Sequence, residues 1–283
     1  MKPAEPLAFP KPTHPIELVA ADMDGTLLTE DFVLSDATRR AVRRLLERGI
    51  DFILVSGRMV ATLRPFHAEL GLRSPVISYN GALIRDILSG RTIRHTPIDP
   101  EVAREIIEFA DAEGLHLQYF WDDKFYAVER NPWMELYEGR IRLKGIVIDD
   151  LRVFGPERPP TKMQFITEPA RVRELVPFLR ERYGETLYVT NTLPEYVEMM
   201  DPGVSKGGAL RELGEILGVP TEHMLVFGDA QNDETMFDVA GLSIAMANAR
   251  PSVRERADLV TLSNTEDGVA RALEALGLLD GDG

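Results

Sequence analysis

The chain has 283 residues, no cysteine and a formal net charge of −14. The acidic balance tells against nucleic acid and against anionic membrane surfaces as partners, since like charges repel. The lack of cysteine excludes disulfides, thiolate zinc sites and a thiol nucleophile, and it fits a reducing, cytoplasmic setting. Hydrophobic residues make up 44% of the chain, enough for a proper core, and at roughly 100–200 residues per domain the length suggests two domains.

Residues 1–15 carry prolines and lysines without a continuous apolar stretch, and read as a disordered tail rather than a signal peptide. No segment approaches the ~18 apolar residues of a membrane helix. Residues 17–22 are a short apolar run that ends on a charge, as a buried parallel strand does. Residues 36–47 place Ala37, Ala41, Leu45 and Leu46 at helical spacing behind Ser35, a plausible N-cap, and Gly49 stops the helix. A strand at 52–56, a helix at 59–70 and a strand at 75–79 continue an alternation that indicates a Rossmann-like α/β core, a parallel sheet with helices on both faces.

The rhythm then changes. Residues 82–86 and 91–95 flank Ser89-Gly90 as a hairpin. A helix at 101–113, paired strands at 115–121 and 124–129, a helix at 135–143, a strand at 161–167, a helix at 171–182 and strands at 186–190 and 196–200 describe an α+β module. Tyr119, Phe120 and Trp121 read as its core before they read as a substrate wall. Strand–helix alternation returns at Ser205, with a helix to Leu217, a strand at 224–229, a helix at 233–240, short strands at 242–245 and 259–261, and a closing helix at 268–276. The expected organisation is a discontinuous α/β core, residues 16–84 and 201–279, split by an inserted α+β domain at 85–200. Residues 279–283 read as a frayed end.

Asp22 stands where the first strand should end, and ligands of open α/β sheets bind beyond the carboxyl ends of their strands. Asp22 and Asp24 lie two positions apart, and Gly25 allows a turn that aims both carboxylates at one point. One carboxylate can attack phosphorus to give an acyl phosphate. The other can protonate the leaving oxygen and then deprotonate the water that hydrolyses the acyl phosphate. A calcium loop would need glycine and glutamate where this chain has Leu27 and Val33. Ser56-Gly57-Arg58 ends the second strand, with a hydroxyl and N–H groups that suit a phosphoryl oxygen or a simple helix cap. Lys206 opens a helix, where the dipole disfavours a cation; neutralising phosphate is one reason for its place, and plain solvation is another. Gly228-Asp229 ends a strand and Asn232-Asp233 opens the next helix, so Asp229 can meet a hard cation through oxygen, as magnesium prefers. Four motifs in this order on one sheet edge carry more weight than any one alone.

Together these motifs resemble the haloacid dehalogenase superfamily, most closely its Cof-type branch of phosphatases with a large cap inserted between the second and third motifs. The resemblance spans residues 18–276. Asp22-Met23-Asp24-Gly25-Thr26 matches the first motif, Ser56-Gly57-Arg58 the second, Lys206 the third and Gly228-Asp229-Ala230-Gln231-Asn232-Asp233 the fourth. Asn80-Gly81-Ala82 and residues 245–249 and 263–268 match as well. The resemblance implies hydrolysis of a small phosphorylated metabolite, a sugar phosphate or similar, through a phosphoaspartate intermediate. Asp22 would be the nucleophile and Asp24 the acid and base, with Ser56 and Lys206 also catalytic. Ser56, Gly57, Lys206 and Asn232 would bind phosphate. Magnesium (Mg2+) would lie on the carboxylates of Asp22 and Asp229 and the backbone carbonyl of Asp24, with Asn232 and Asp233 in or near its shell. The module at 85–200 would be a C2 cap that closes over the sheet edge and selects the substrate. Ser56 replaces a commoner threonine and keeps the hydroxyl, and Ala230 replaces a commoner polar residue. A phosphomutase on the same scaffold and a non-catalytic protein that binds a phosphometabolite are the alternatives.

Overall fold

The computed structural model describes residues 7 and 9–279. Of the expected tails, residues 1–6, 8 and 280–283 lie outside the described residues, and residues 9–15 form neither helix nor strand. The chain runs through β1 (Leu18–Ala21), α1 (Asp36–Glu47), β2 (Asp51–Leu54), α2 (Val60–Glu69), β3 (Val76–Ser78), β4 (Leu83–Arg85) and β5 (Thr92–His95). There follow α3 (Pro100–Glu113), β6 (His116–Trp121), β7 (Lys124–Ala127), α4 (Pro132–Ile141), β8 (Ile146–Val147), β9 (Lys162–Ile166), α5 (Pro169–Tyr183), β10 (Tyr188–Thr190) and β11 (Tyr196–Met200). The last third holds α6 (Lys206–Leu217), β12 (Met224–Gly228), α7 (Glu234–Phe237), β13 (Leu242–Ala245), α8 (Pro251–Arg254), β14 (Leu259–Val260) and α9 (Gly268–Ala275). Among the described residues no helix is long and apolar enough to cross a membrane.

These elements divide into two compact units. One holds residues up to Ile93 together with those from Ser205 onward, and the other holds Arg94–Val204. The first is built on a parallel sheet in the order β14-β13-β12-β1-β2. All four residues of β1 are buried, because a central strand is covered on both faces. Leu18, Ala20, Ile53, Val55, Met224 and Val226 face one way and pack with Leu210 and Leu213 of α6 and Met236 of α7. Local signals start the helices. The Ser35 hydroxyl accepts from the N–H of Thr38 at 3.0 Å to cap α1, and Ser205 accepts from Gly208 at 3.0 Å to cap α6. The strand order reverses at β1, so the crevice of this sheet opens at the carboxyl end of β1.

β3 departs from the expected run of parallel strands. It meets the residue that follows β2 through one bridge, Val55 to Ile77, and otherwise pairs antiparallel with β4 in a separate sheet of β3, β4 and β5. Ile77 and Ile84 face each other across that ladder and are buried in the same apolar cluster as Leu18, with Ile93 packed against it. The hairpin therefore stays with the first unit, and the change of unit falls at Arg94 rather than near residue 85.

The second unit carries a sheet in the order β10-β11-β9-β6-β7-β8, antiparallel except for the β7–β8 pair. Leu117, Tyr119, Met163, Phe165, Val197 and Met199 share one face and pack with Ile106 of α3 and Leu175 of α5. Tyr119 and Phe120 are buried core residues. Two elements are unexpected from the sequence, β8 and a short turn of helix at Leu151–Phe154, whose Phe154 stacks on Tyr119 at 4.6 Å. α4 begins earlier than expected, on a cap from Asn131 to the N–H groups of Trp133 and Met134. Its buried Glu138 accepts from Arg130, Lys144 and the Gly145 N–H. The Arg130 bond, against the opposing cost of burial and helped by Lys144, holds that carboxyl down at about 2.

α6 and α7 approach each other closely at Gly207, where an added Cβ would stand 1.8 Å from the Thr235 carbonyl oxygen. Gly139, exposed within α4, has nothing within 4 Å of such a Cβ. Gly207→Ala should therefore destabilise the protein by ~1–3 kcal/mol through overpacking against backbone, whereas Gly139→Ala should stabilise it by ~0.5–1 kcal/mol. Thermal melts of both variants beside the parent decide it, and equal effects would show that the contact at Gly207 is not tight.

Candidate active site

Asp22 follows β1 directly, and its N–H donates to the Phe227 carbonyl of β12 at 3.1 Å. Asp229 follows β12 in the same way, and the parallel pairing of these strands sets both aspartates at one sheet edge. Lys206 opens α6 beside them. Its Nζ donates to Asp22 Oδ1 at 2.6 Å and to Asp233 Oδ1 at 2.6 Å, and the lysine is 1% exposed. Asp233 uses its other oxygen to accept from the N–H groups of Asp229 and Ala230, both at 2.9 Å. Thr26 Oγ1 donates to Asp229 Oδ1 at 2.8 Å.

The electrostatics follow from burial. Burial raises the Asp22 pKa well above the ordinary value; Lys206 opposes this, and Asp233, Asp229 and Asp24 add to it. Asp229 is pushed up to about 6 by burial, against the Thr26 hydroxyl and with Asp233. Burial works against the charge on Lys206, but Asp22 and Asp233 outweigh it and hold the ammonium charged. Oxygens of Asp22, Asp229 and Asp233 all lie within 4.8 Å of one another. Three carboxylates against one ammonium leave an excess of negative charge, and an oxygen-only donor set suits a hard divalent cation. Gly25, at φ +83°, passes so close that a Cβ there would stand 2.4 Å from Asp229 Oδ2. No other residue fits that turn without displacing a carboxylate of the cluster.

The remaining expected residues have other partners. The carboxylate of Asp24 is outside the cluster and meets Arg58. Ser56 is buried; its Oγ accepts from the Arg58 N–H at 3.2 Å and its carbonyl from the Asn80 N–H at 3.0 Å. Gly57 lies against the Asn80 side chain. Asn232 Nδ2 donates to Asn80 Oδ1 at 2.9 Å. The structure thus brings Asp22, Lys206, Asp229 and Asp233 into direct contact or near it, and ties Ser56, Gly57 and Asn232 to one another through Asn80.

Sequence reasoning assigned no role to Thr26, Asn80, Asn248 or Asn264. Asn248 Nδ2 donates to the Gly25 carbonyl at 2.8 Å, Asn248 Oδ1 accepts from the Asn264 N–H at 3.0 Å, and Asn264 Nδ2 donates to the Leu28 carbonyl at 2.7 Å. Two amides in series thus hold the loop that carries Asp24. Their only signal was membership of segments that matched the family pattern without a stated task.

A family model described as haloacid dehalogenase-like hydrolase matches residues 19–273. A 5-amino-6-(5-phospho-D-ribitylamino)uracil phosphatase of Bacillus subtilis is 33% identical over 264 residues, covering 91% of this chain and 94% of that protein. An HMP-PP phosphatase of Cronobacter sakazakii is 29% identical over 236 residues, covering 83% and 86%. A crystal structure from Thermotoga maritima superposes with a TM-score of 0.85 at 35% identity, over 94% of this chain and 98% of that one.

Lys206→Met keeps the length of the side chain and deletes the charge that the carboxylates surround. Removing one partner of a buried charge cluster costs ~3–5 kcal/mol, and a divalent cation should restore part of it by replacing the lost positive charge. Urea titrations of parent and variant, each with EDTA and with magnesium, test this; a variant as stable as the parent in EDTA would show that Lys206 does not offset the cluster's repulsion.

Proposed function

Given that the chain belongs to the haloacid dehalogenase-like hydrolase family, we propose that it is a magnesium-dependent phosphatase that hydrolyses a small phosphorylated metabolite through an aspartyl phosphate on Asp22. The observation that carries this reading is the 2.6 Å bond from Lys206 to Asp22 at the carboxyl end of the central strand, with Asp229 and Asp233 alongside. A plain structural ion pair would not need two further carboxylates, one buried and one half-buried, at the same point.

An oxygen of Asp22 attacks phosphorus, the ester P–O bond breaks, and its electron pair goes to the leaving oxygen, which takes a proton from Asp24. Water then attacks the same phosphorus while Asp24 takes its proton. The acyl-phosphate P–O bond breaks, returning the Asp22 carboxylate and inorganic phosphate. Lys206 orients Asp22 and offsets charge on the phosphoryl oxygens, and the loop of Ser56 and Gly57, with Asn232, receives those oxygens. Asp22, Asp229 and the Asp24 carbonyl would hold the magnesium, with Asp233 behind them. The bound cation supplies the positive charge that lets an anionic carboxylate approach an anionic phosphate.

The size class of the substrate is supported by relatives named for small molecules, among them a phosphoribitylaminouracil. Choice among such substrates is assigned to residues 94–204, the unit that contains none of the candidate catalytic residues.

Two outcomes are expected. Asp22→Asn, nearly the same shape but a poor nucleophile, should lower kcat by on the order of 10⁴-fold or more while the variant still folds, as circular dichroism would check. Phosphate release from a panel of phosphorylated metabolites should vanish after exhaustive EDTA treatment and return with magnesium. Wild-type turnover by Asp22→Asn, or full activity in EDTA, would overturn the mechanism.

A further inference from the structure

We infer that Arg58 is a positioning residue for Asp24: it grips both oxygens of that carboxylate and so fixes the direction in which Asp24 meets the leaving oxygen. The inference rests on the phosphatase reading above. Arg58 Nε donates to Asp24 Oδ2 at 2.7 Å and Nη2 to Oδ1 at 2.5 Å, the parallel two-pronged geometry that a planar guanidinium gives and an ammonium cannot.

Surface ion pairs are commonly worth little, because two flexible side chains must be ordered to form them. Here the ordering comes from elsewhere. The guanidinium lies over the rings of Phe32 and Phe66, at 5.7 and 5.6 Å from their centroids. The Arg58 backbone is tied on both sides, its N–H to Ser56 Oγ and its carbonyl to the Tyr79 N–H at 3.1 Å. Phe32 is 61% exposed and holds a left-handed backbone at φ +57°, in a turn closed by its N–H on the Thr29 carbonyl at 2.9 Å. A bulky residue in that backbone conformation is strained. Its contact with Arg58 is a reason for the chain to keep it there.

The same segment therefore links two tasks. Ser56 and Gly57 belong to the loop proposed to receive phosphate, and the next residue orients the carboxylate that handles the proton. In the first half-reaction Asp24 gives a proton to the leaving oxygen as the P–O bond breaks, and in the second it takes one from water. Each oxygen keeps a second lone pair that can carry the proton, while the two-pronged grip keeps the carboxylate aimed.

The test is the dependence of the rate on the leaving group. Single-turnover release of 4-nitrophenol from 4-nitrophenyl phosphate and of phenol from phenyl phosphate is measured with magnesium for the parent, Arg58→Ala, Arg58→Lys, Phe32→Ala and Asp24→Asn. The two esters have nearly the same shape, but 4-nitrophenolate departs readily without a proton and phenolate does not. Arg58→Ala should slow phenyl phosphate at least about tenfold more than 4-nitrophenyl phosphate, a pattern shared with Asp24→Asn, since general acid catalysis is worth ~10²–10⁴-fold. Arg58→Lys and Phe32→Ala should show the same pattern more weakly, and they decide the matter should Arg58→Ala not fold. The inference is overturned if both esters slow by the same factor, or if KM rises for both with kcat unchanged, which is what a phosphate-binding arginine would give. It is also overturned if the variants match the parent. A parent that releases neither 4-nitrophenol nor phenol overturns the phosphatase reading itself, and this inference with it.

Discussion

One ammonium surrounded by three carboxylates, where water has little access, is the constraint to which the rest of the first unit answers. Each of these charges would be penalised by burial alone, so the arrangement holds only if Lys206 keeps its bonds to Asp22 and Asp233 and Asp229 stays within 4.8 Å of both carboxylates. Asp22 and Asp229 come together because β1 and β12 pair in parallel and both end at the same edge. Lys206 reaches them because α6 starts at that edge, and α6 can lie so near α7 because residue 207 has no side chain. Asp233 links the lysine to the loop of Asp229 and Ala230, so the cation and the loop cannot shift independently. The surplus of negative charge that remains is the part a divalent cation is suited to balance.

Much of this was legible in the sequence for physical reasons that can be named. β1 is apolar on both faces and stops on an aspartate, which is how a central parallel strand meets solvent. The span of α1 followed from its serine cap and from Gly49 just past its end, signals confined to a single turn of chain. Asp22, Asp229 and Asp233 stood out because each sits at a strand end or helix start, where a parallel sheet gathers its polar groups. Lys206 stood out because it opposes the dipole of its own helix.

Other features were illegible because their causes lie far along the chain. β3 joins the expected β4–β5 hairpin rather than the parallel sheet through packing of Ile77 and Ile84, and no periodicity distinguishes the two places. β8 and the turn at Leu151–Phe154 are too short to show a period. The contacts of Arg58 with Asp24 and of Asn248 with Gly25 span 34 and 223 positions. A motif can mark such residues, but only coordinates show what they hold.

The pairing of β1 with β12 also sets a timetable. Thr26 waits for Asp229, 203 positions later, and Asp22 waits for Lys206, 184 positions later. At ~5–20 residues per second of synthesis, that interval is about 10–40 s. Throughout it β1 has one unpaired edge, and Asp22 has neither its counter-charge nor its neighbours. Such non-local pairing slows folding and leaves an apolar strand open to wrong partners. It also means that the carboxylate cluster has no partial form: it exists only once β12 and α6 have both been made.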